Sequence, residues 1–135
     1  MSDPCYYVIC SLDDHNLRTN KEQIILAQAE AGNDEFFHGC RLALDSTITF
    51  GIKQVPERTG PDGSGVDWES FTLVLTGFVN RSITGNLARD TINELMSNCT
   101  NTQWNDWYRR ILIKDLRCGT SEKTINKVVE KMYAG

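Results

Sequence analysis

The chain has 135 residues, of which 40% are hydrophobic and 24% are charged, and its formal net charge is −4. This balance predicts one globular domain with a hydrophobic core and excludes a largely disordered chain. No apolar run approaches the roughly 18 residues of a membrane span, and residues 5–10 are too short and follow too acidic a start for a signal peptide. We therefore expect a soluble, cytoplasmic protein.

The cysteines indicate a reducing environment. Their number is odd, they form no Cys-x-x-Cys pair, and only His15 and His38 could join them as metal ligands. We predict reduced, mostly buried thiols and no metal site. Neither histidine has a serine or cysteine partner at a spacing typical of nucleophilic catalysis, so both are interpreted as structural or surface residues.

Helix signals open the chain. Asp3 is a candidate cap and Pro4 a candidate first helical residue, which predicts a helix through about residue 10. Thr19 and Glu22 form a capping box for a second helix, and Gly32 is expected to end it.

The middle of the chain is less regular. Asn33 or Asp34 is expected to cap a third helix that runs to about Leu44. Residues 46–55 are interpreted as helical or irregular, although their β-branched and aromatic side chains could also form a strand. Three glycines and two prolines within the next ten residues predict a surface loop at about 56–66.

Helical periodicity returns after this loop. Asp67 and Thr84 are expected to cap two successive helices, and apolar residues at intervals of three and four predict a further helix over about 102–117. The chain is therefore predicted to be a single all-α domain, a compact multi-helix bundle over residues 1–135. The tryptophans expected to anchor its core are Trp68, Trp104 and Trp107.

Charge is distributed unevenly along the chain. Residues 1–80 carry 5 basic and 12 acidic side chains, whereas residues 81–135 carry 9 basic and 6 acidic ones. The overall acidity would argue against nucleic acid, because DNA affinity comes largely from Lys and Arg. The asymmetry instead predicts one basic face and one acidic, solvated face.

A helical hairpin over residues 109–128 is the strongest candidate site. Arg109, Arg110, Lys114 and Arg117 supply much of the polar surface of its first helix. Gly119 is expected to end that helix, and Thr120 or Ser121 to cap the next one. Lys123 and Lys127 lie one turn apart beside the new helix start, where unpaired N–H groups favour phosphate. The alternative is an ordinary hairpin with solvated lysines.

A second candidate lies at the start of an earlier helix. Gly85 and Asn86 follow the expected cap Thr84, so small residues would let a sugar-phosphate backbone approach exposed N–H groups. Arg81 and Arg89 are near enough in sequence to add positive charge. The alternative is a well-capped helix start in which the glycine is incidental.

The two segments together resemble the N-terminal DNA-binding domain of ATP-dependent DNA ligases of the phage type. In that family a Thr-Gly-Asn-x-Ala helix start is followed, about thirty residues later, by Arg-Arg-(apolar)₃-(Lys/Arg)-Asp-Leu-x-Cys-Gly-x-Ser and then Asn-Lys-Val. The matching residues here are 84–88, 109–121 and 126–128. The resemblance covers nearly the whole chain and is specific from about residue 80 onward.

The resemblance implies an all-helical clamp that binds nicked double-stranded DNA across the minor groove without reading sequence, in DNA replication, repair or recombination. It also implies a nucleotidyltransferase domain as partner, in cis or in trans. With the basic residues of the hairpin included, the candidate DNA-binding residues are Arg81, Thr84, Gly85, Asn86, Lys114, Arg117, Gly119, Thr120, Ser121, Lys123 and Lys127.

The catalytic part of a ligase is not expected in this chain. No lysine stands in the Lys-x-Asp-Gly setting that adenylation needs; Lys114-Asp115, for example, is followed by Leu116. ATP and Mg²⁺ are therefore expected only for the missing catalytic domain, and whether the protein is an enzyme stays open. The alternative function is a helical phage adaptor whose basic hairpin docks an acidic protein.

Overall fold

The computed structural model describes residues 5–13, 18–52, 54–116, 118 and 122–134, without the side chains of 18, 19, 122 and 131–134. Within these ranges the regular structure is helical and no strand occurs, so the predicted all-α fold is confirmed. The helices are α1 (Cys5–Asp13), α2 (Arg18–Glu30), α3 (Asp34–Leu44), α4 (Trp68–Val79), α5 (Gly85–Asn98), α6 (the consecutive segments Asn101–Gln103, Trp104–Tyr108 and Arg109–Leu112) and α7 (Glu122–Ala134).

The junction between α2 and α3 follows the sequence prediction closely. Gly32 adopts a left-handed backbone with φ of 71°, and the amide of Asn33 donates to the oxygen of Gln28 at 3.0 Å. These features form the glycine-stopped helix end that was expected. Asn33 then caps α3, because its side-chain oxygen accepts from the amide of Phe36.

Other helix starts differ in detail. The helix α2 already begins at Arg18, so Thr19 lies inside it and not at the cap position. Asp67 and Thr84 do occupy the residues before α4 and α5, but neither side chain makes a capping hydrogen bond. The expected roles of Asp3 and Pro4 fall outside the described residues.

An aromatic layer at the centre of the core is built on α6. Its middle segment, Trp104–Tyr108, is one turn of π-helix, and Trp104, Trp107 and Tyr108 are all buried. The ring of Tyr108 stacks on Phe71 of α4 at a centroid distance of 3.9 Å. Trp68 stacks on Trp107 at 5.8 Å. The prediction that the tryptophans anchor the core is confirmed for Trp104 and Trp107, and Trp68 packs against the core while partly buried.

The long segment between α3 and α4 is irregular and is attached to α6. Residues 46–52 and 54–66 form neither helix nor strand, in agreement with the irregular alternative for 46–55 and with the predicted loop. Gln103 bonds both backbone groups of Val66, at 2.9 and 2.6 Å. The indole of Trp104 donates to the oxygen of Pro56 at 2.9 Å. This segment is thereby held against the helices.

The end of α6 departs most from prediction. The helix stops at Leu112, not at Arg117. Lys114 takes a left-handed backbone with φ of 57°, and the amide of Asp115 donates to the oxygen of Arg110 at 3.0 Å. A lysine therefore occupies the position where glycine is usual, five residues before the expected stop at Gly119.

The cysteines are free, and those at positions 5, 40, 99 and 118 are buried, as expected. Burial raises the pKa of the Cys99 thiol to about 11 and raises that of Cys40 well above its usual value. The described residues contain no group of His, Cys, Asp or Glu suited to a metal ion. None of the described helices combines the length and apolar character needed to cross a membrane.

Candidate nucleic-acid interface

The start of α5, at Thr84-Gly85-Asn86, presents backbone directly to solvent. Gly85 has φ of 57°, a left-handed conformation in which other residues are strained. It is exposed, and a Cβ added there would meet no atom within 4 Å. Thr84 and Asn86 are exposed as well. A ligand can therefore approach this helix start without meeting a large side chain.

Both Nη atoms of Arg81 form hydrogen bonds within the protein. Its Nη1 donates to the main-chain oxygen of Phe78 at 2.8 Å and to that of Thr49 at 3.4 Å, and its Nη2 donates to Thr49 Oγ1 at 2.9 Å. The structure thus assigns the guanidinium a structural role, in which it joins the end of α4 to the segment after α3. Contact between Arg81 and DNA remains a prediction.

Lys114 is also engaged internally. Its Nζ donates to the main-chain oxygens of Leu42 at 2.7 Å and Asp45 at 2.8 Å, where α3 ends. The ammonium lies 5.4 Å from the centre of the Phe50 ring. Burial lowers the pKa of Lys114, and the nearby Asp45 carboxylate opposes that shift. This lysine stabilises the end of α3.

Most residues of the predicted hairpin turn lie outside the part of the chain that the structure describes. Arg117, Gly119, Thr120 and Ser121 are among the residues that the structure does not describe. The helix that follows begins at Glu122, close to the expected start. On it Lys123 is exposed, whereas Lys127 Nζ lies 3.5 Å from Glu22 Oε1 of α2. Lys123 is therefore the more available of the two lysines.

The start of α5 and the end of α6 lie at one groove, which we call the α5–α6 groove. Its lining comes from three parts of the chain: α5 with Gly85, Arg89 and Asn93, the end of α6 with Arg109 and the following Ile113, and residues 51–56 of the irregular segment. Ile113 also lines an adjoining hollow that reaches Lys114. The fold thus brings the Thr84-Gly85-Asn86 turn close to the end of the basic helix.

Arg89 and Arg109 line the same groove, which local sequence does not predict. In the sequence, Arg109 belongs to the basic surface of its helix and Arg89 is a charge near the glycine turn. The Arg-Arg pair at 109–110 and the Gly-Asn-x-x-Arg spacing at 85–89 are visible in the sequence, but no local signal places them at one groove. Their placement at one groove, although they are 20 residues apart in sequence, is a property of the folded bundle.

These features define an all-helical domain with an open glycine turn beside a groove lined by arginine. No protein-family model and no curated protein matches the chain.

Solved structures do match the chain, and two of them are named "Pmar-Lig_Pre." and "Pmar-Lig_PreS3". They are 43% and 44% identical to the chain, each with a TM-score of 0.95, and the match covers 98% of this chain in both cases. The chain spans only 30% and 31% of the length of those structures. In sequence and fold it is related to a single all-helical portion, about a third, of each Lig-named chain.

Proposed function

We propose that this chain is the noncatalytic DNA-binding domain of an ATP-dependent DNA ligase, and that it binds nicked double-stranded DNA without sequence preference. One observation carries the proposal: the chain shares over 40% identity and nearly its whole fold with a third of two Lig-named chains. The name agrees with the ligase resemblance of residues 84–88 and 109–128, which is independent of it.

The exposed groups suit contact with a DNA backbone. Gly85 and Asn86 offer main-chain N–H groups at the start of a 14-residue helix, where an anion is favoured. Lys123 adds an exposed charge on another helix. Groups of this kind hold phosphates and sugars, which are common to all duplexes, and they leave base edges unread. Such binding through the minor groove suits a protein of replication and repair.

The chemistry of ligation belongs, in this proposal, to a nucleotidyltransferase domain joined in cis or acting in trans. That domain would hold ATP and Mg²⁺ and supply the nucleophilic lysine. The domain described here would position the nick. With ATP and Mg²⁺ alone, this chain should form no covalent adenylate, and a radiolabelled protein–AMP band would contradict the noncatalytic assignment.

The direct test is fluorescence anisotropy of a labelled nicked duplex titrated with the protein at several salt concentrations. Affinity should fall steeply with salt and should change little when the duplex sequence is scrambled. Lys123→Ala and Arg117→Ala should each weaken binding by about 1 kcal/mol and flatten the salt dependence by about one unit. Lys123→Arg keeps the charge and should keep most of the affinity.

The alternative, a helical adaptor that docks an acidic protein, predicts a different result. A correctly folded protein, checked by circular dichroism, would then leave the nicked duplex unbound even at low salt. That outcome would reject DNA binding.

A further inference from the structure

The arginines of the described residues differ in how far their guanidinium groups are used by the protein. All three nitrogens of Arg58 donate to groups in or just after α5, namely Met96, Ser97 and Asn101. Both Nη atoms of Arg81 are bonded as described above. Arg110 donates to the oxygen of Leu116 and to Asp106. These arginines stabilise the fold.

The guanidinium of Arg109 is held in place by one hydrogen bond, and its Nη atoms form none with the described residues. Its Nε donates to the main-chain oxygen of Val55 at 2.8 Å, which fixes the plane of the guanidinium. Its Nη1 lies 3.9 Å from Glu57 Oε1, which is an ion-pair distance and too long for a hydrogen bond. The structure gives its Nη atoms no hydrogen-bond acceptor among the described residues.

The unused donors of Arg109 can be reached from solvent. Its side chain is only 15% exposed, yet the described residues contain no fully buried side-chain nitrogen or oxygen without a partner. The Nη groups must therefore have solvent access, and Arg109 lines the α5–α6 groove. A guanidinium with a fixed plane and open donors suits the two oxygens of a phosphate.

The other polar side chains that line the groove also carry hydrogen-bond donors that suit a phosphate. Arg89 is exposed and forms no hydrogen bond or ion pair with the described residues. The amides of Gln54 and Asn93 also line the groove, and no carboxylate does. The charged side chains of the lining are thus both cations, and the Glu57 carboxylate lies beside one of them, 3.9 Å from Arg109 Nη1.

We infer that the α5–α6 groove binds the phosphate backbone of DNA, with Arg89 and Arg109 as contact residues. This inference rests on the proposed function and adds two contact residues to it. The path of one DNA strand then runs from the Gly85 turn across the groove towards the end of α6. Arg89 and Arg109 supply the charge at this place, because Arg81 is occupied by Thr49 and Phe78.

The Glu57 carboxylate lies beside this site and should oppose the binding of a phosphate. Its carboxylate is 65% exposed and faces Arg109 without a hydrogen bond, so it lies close to where a phosphate would bind. An incoming phosphate must displace it or tolerate its repulsion. Neutralising Glu57 should therefore strengthen DNA binding by more than neutralising an exposed carboxylate away from the groove does.

The experiment measures affinity for the labelled nicked duplex with matched variants. Arg89→Ala should weaken binding about fivefold and reduce the salt slope by about one. Arg109→Gln should weaken it at least as much. Glu57→Gln should strengthen it about two- to threefold. Since Arg109 is partly buried, the exposed positions 57 and 89 keep the test decisive if Arg109→Gln fails to fold.

Two controls separate a local contact from net charge. Arg41→Ala removes an exposed arginine of α3 that lines a different groove. Glu94→Gln removes an exposed carboxylate from a groove on another side of α5. Both should change affinity by less than half as much as their counterparts. The inference is wrong if Glu57→Gln and Glu94→Gln change the affinity for DNA equally. It is also wrong if Arg89→Ala and Arg41→Ala do so. In either case the proposed DNA binding itself still stands. If the unaltered protein fails to bind, the proposed function itself fails.

Discussion

Arg81 donates a hydrogen bond of 2.9 Å from Nη2 to Thr49 Oγ1, although 32 residues separate the two in sequence. Arg81 also has a left-handed backbone, with φ of 65°, and such a conformation costs a residue other than glycine roughly 1–2 kcal/mol. The contacts of its guanidinium therefore offset a local strain, and together they fix the turn that leads to Gly85.

Substitutions at Arg81 should separate these two effects. Arg81→Ala removes the hydrogen bonds and keeps the strain, so we expect it to lower the free energy of unfolding by about 1–2 kcal/mol. Arg81→Gly removes the strain too and should be about 1 kcal/mol more stable than Arg81→Ala. Urea denaturation measures both. Equal stabilities for the alanine and glycine variants would show that the backbone at this residue is not strained.

Lys114 should make stability depend on alkaline pH. Its pKa is lowered in the folded protein by burial, so just below the ordinary lysine value the unfolded chain binds more protons than the folded one. The contribution of this group to stability therefore rises with pH in that window. Relative to Lys114→Met, the unaltered protein should gain stability from pH 8 towards 10.5 in urea denaturation. A constant or shrinking difference would contradict the lowered pKa.

The buried Cys99 thiol should make the stability of the protein fall, not rise, as the pH increases. The pKa of Cys99 is about 11 in the folded protein because burial disfavours the thiolate, against 9.0 for an unperturbed thiol. The stability that this group contributes is present below pH 9 and is lost as pH rises through the folded value. Under reducing conditions, Cys99→Ala should show a shallower loss of unfolding free energy between pH 8.5 and 10.5. An unchanged slope would exclude this cause.

Gly39 should be intolerant of even a methyl group. It lies in α3 against the ring of Trp107, and an added Cβ would overlap that ring. The indole cannot move freely, because it is buried and donates to Glu35 Oε2 at 3.1 Å. Gly39→Ala should therefore destabilise the protein by about 2 kcal/mol or more, despite the better helix propensity of alanine.

Gly32→Ala is the matched control for that prediction. A Cβ at Gly32 would meet no atom within 4 Å, but the residue has φ of 71°. The expected cost is about 1 kcal/mol from backbone strain alone. Thermal denaturation of the two variants checks the order. A smaller loss for Gly39→Ala than for Gly32→Ala would show that Trp107 can repack.

Local sequence was sufficient for much of the fold. The spacing of apolar residues indicated the helices, and Gly32 and Asn33 marked a helix end and the next start. These signals succeed because a helix is made of contacts between residues three or four apart and is ended by one or two residues. The open turn at Thr84-Gly85-Asn86 could be proposed for the same reason.

Tertiary structure alone decided the end of α6 and the use of its cations. Lys114 stops the helix before Gly119 because its ammonium reaches Leu42 and Asp45, about 70 residues away in sequence. Contacts of that separation leave no periodic trace in the sequence. The placement of Arg89 and Arg109 in one groove has the same origin. The sequence by itself therefore determined the helices, most of their ends and the basic character of the second half of the chain. The folded packing determined which cations stabilise the protein and which remain available to a ligand, because a hydrogen bond made inside the fold leaves that donor unavailable to phosphate.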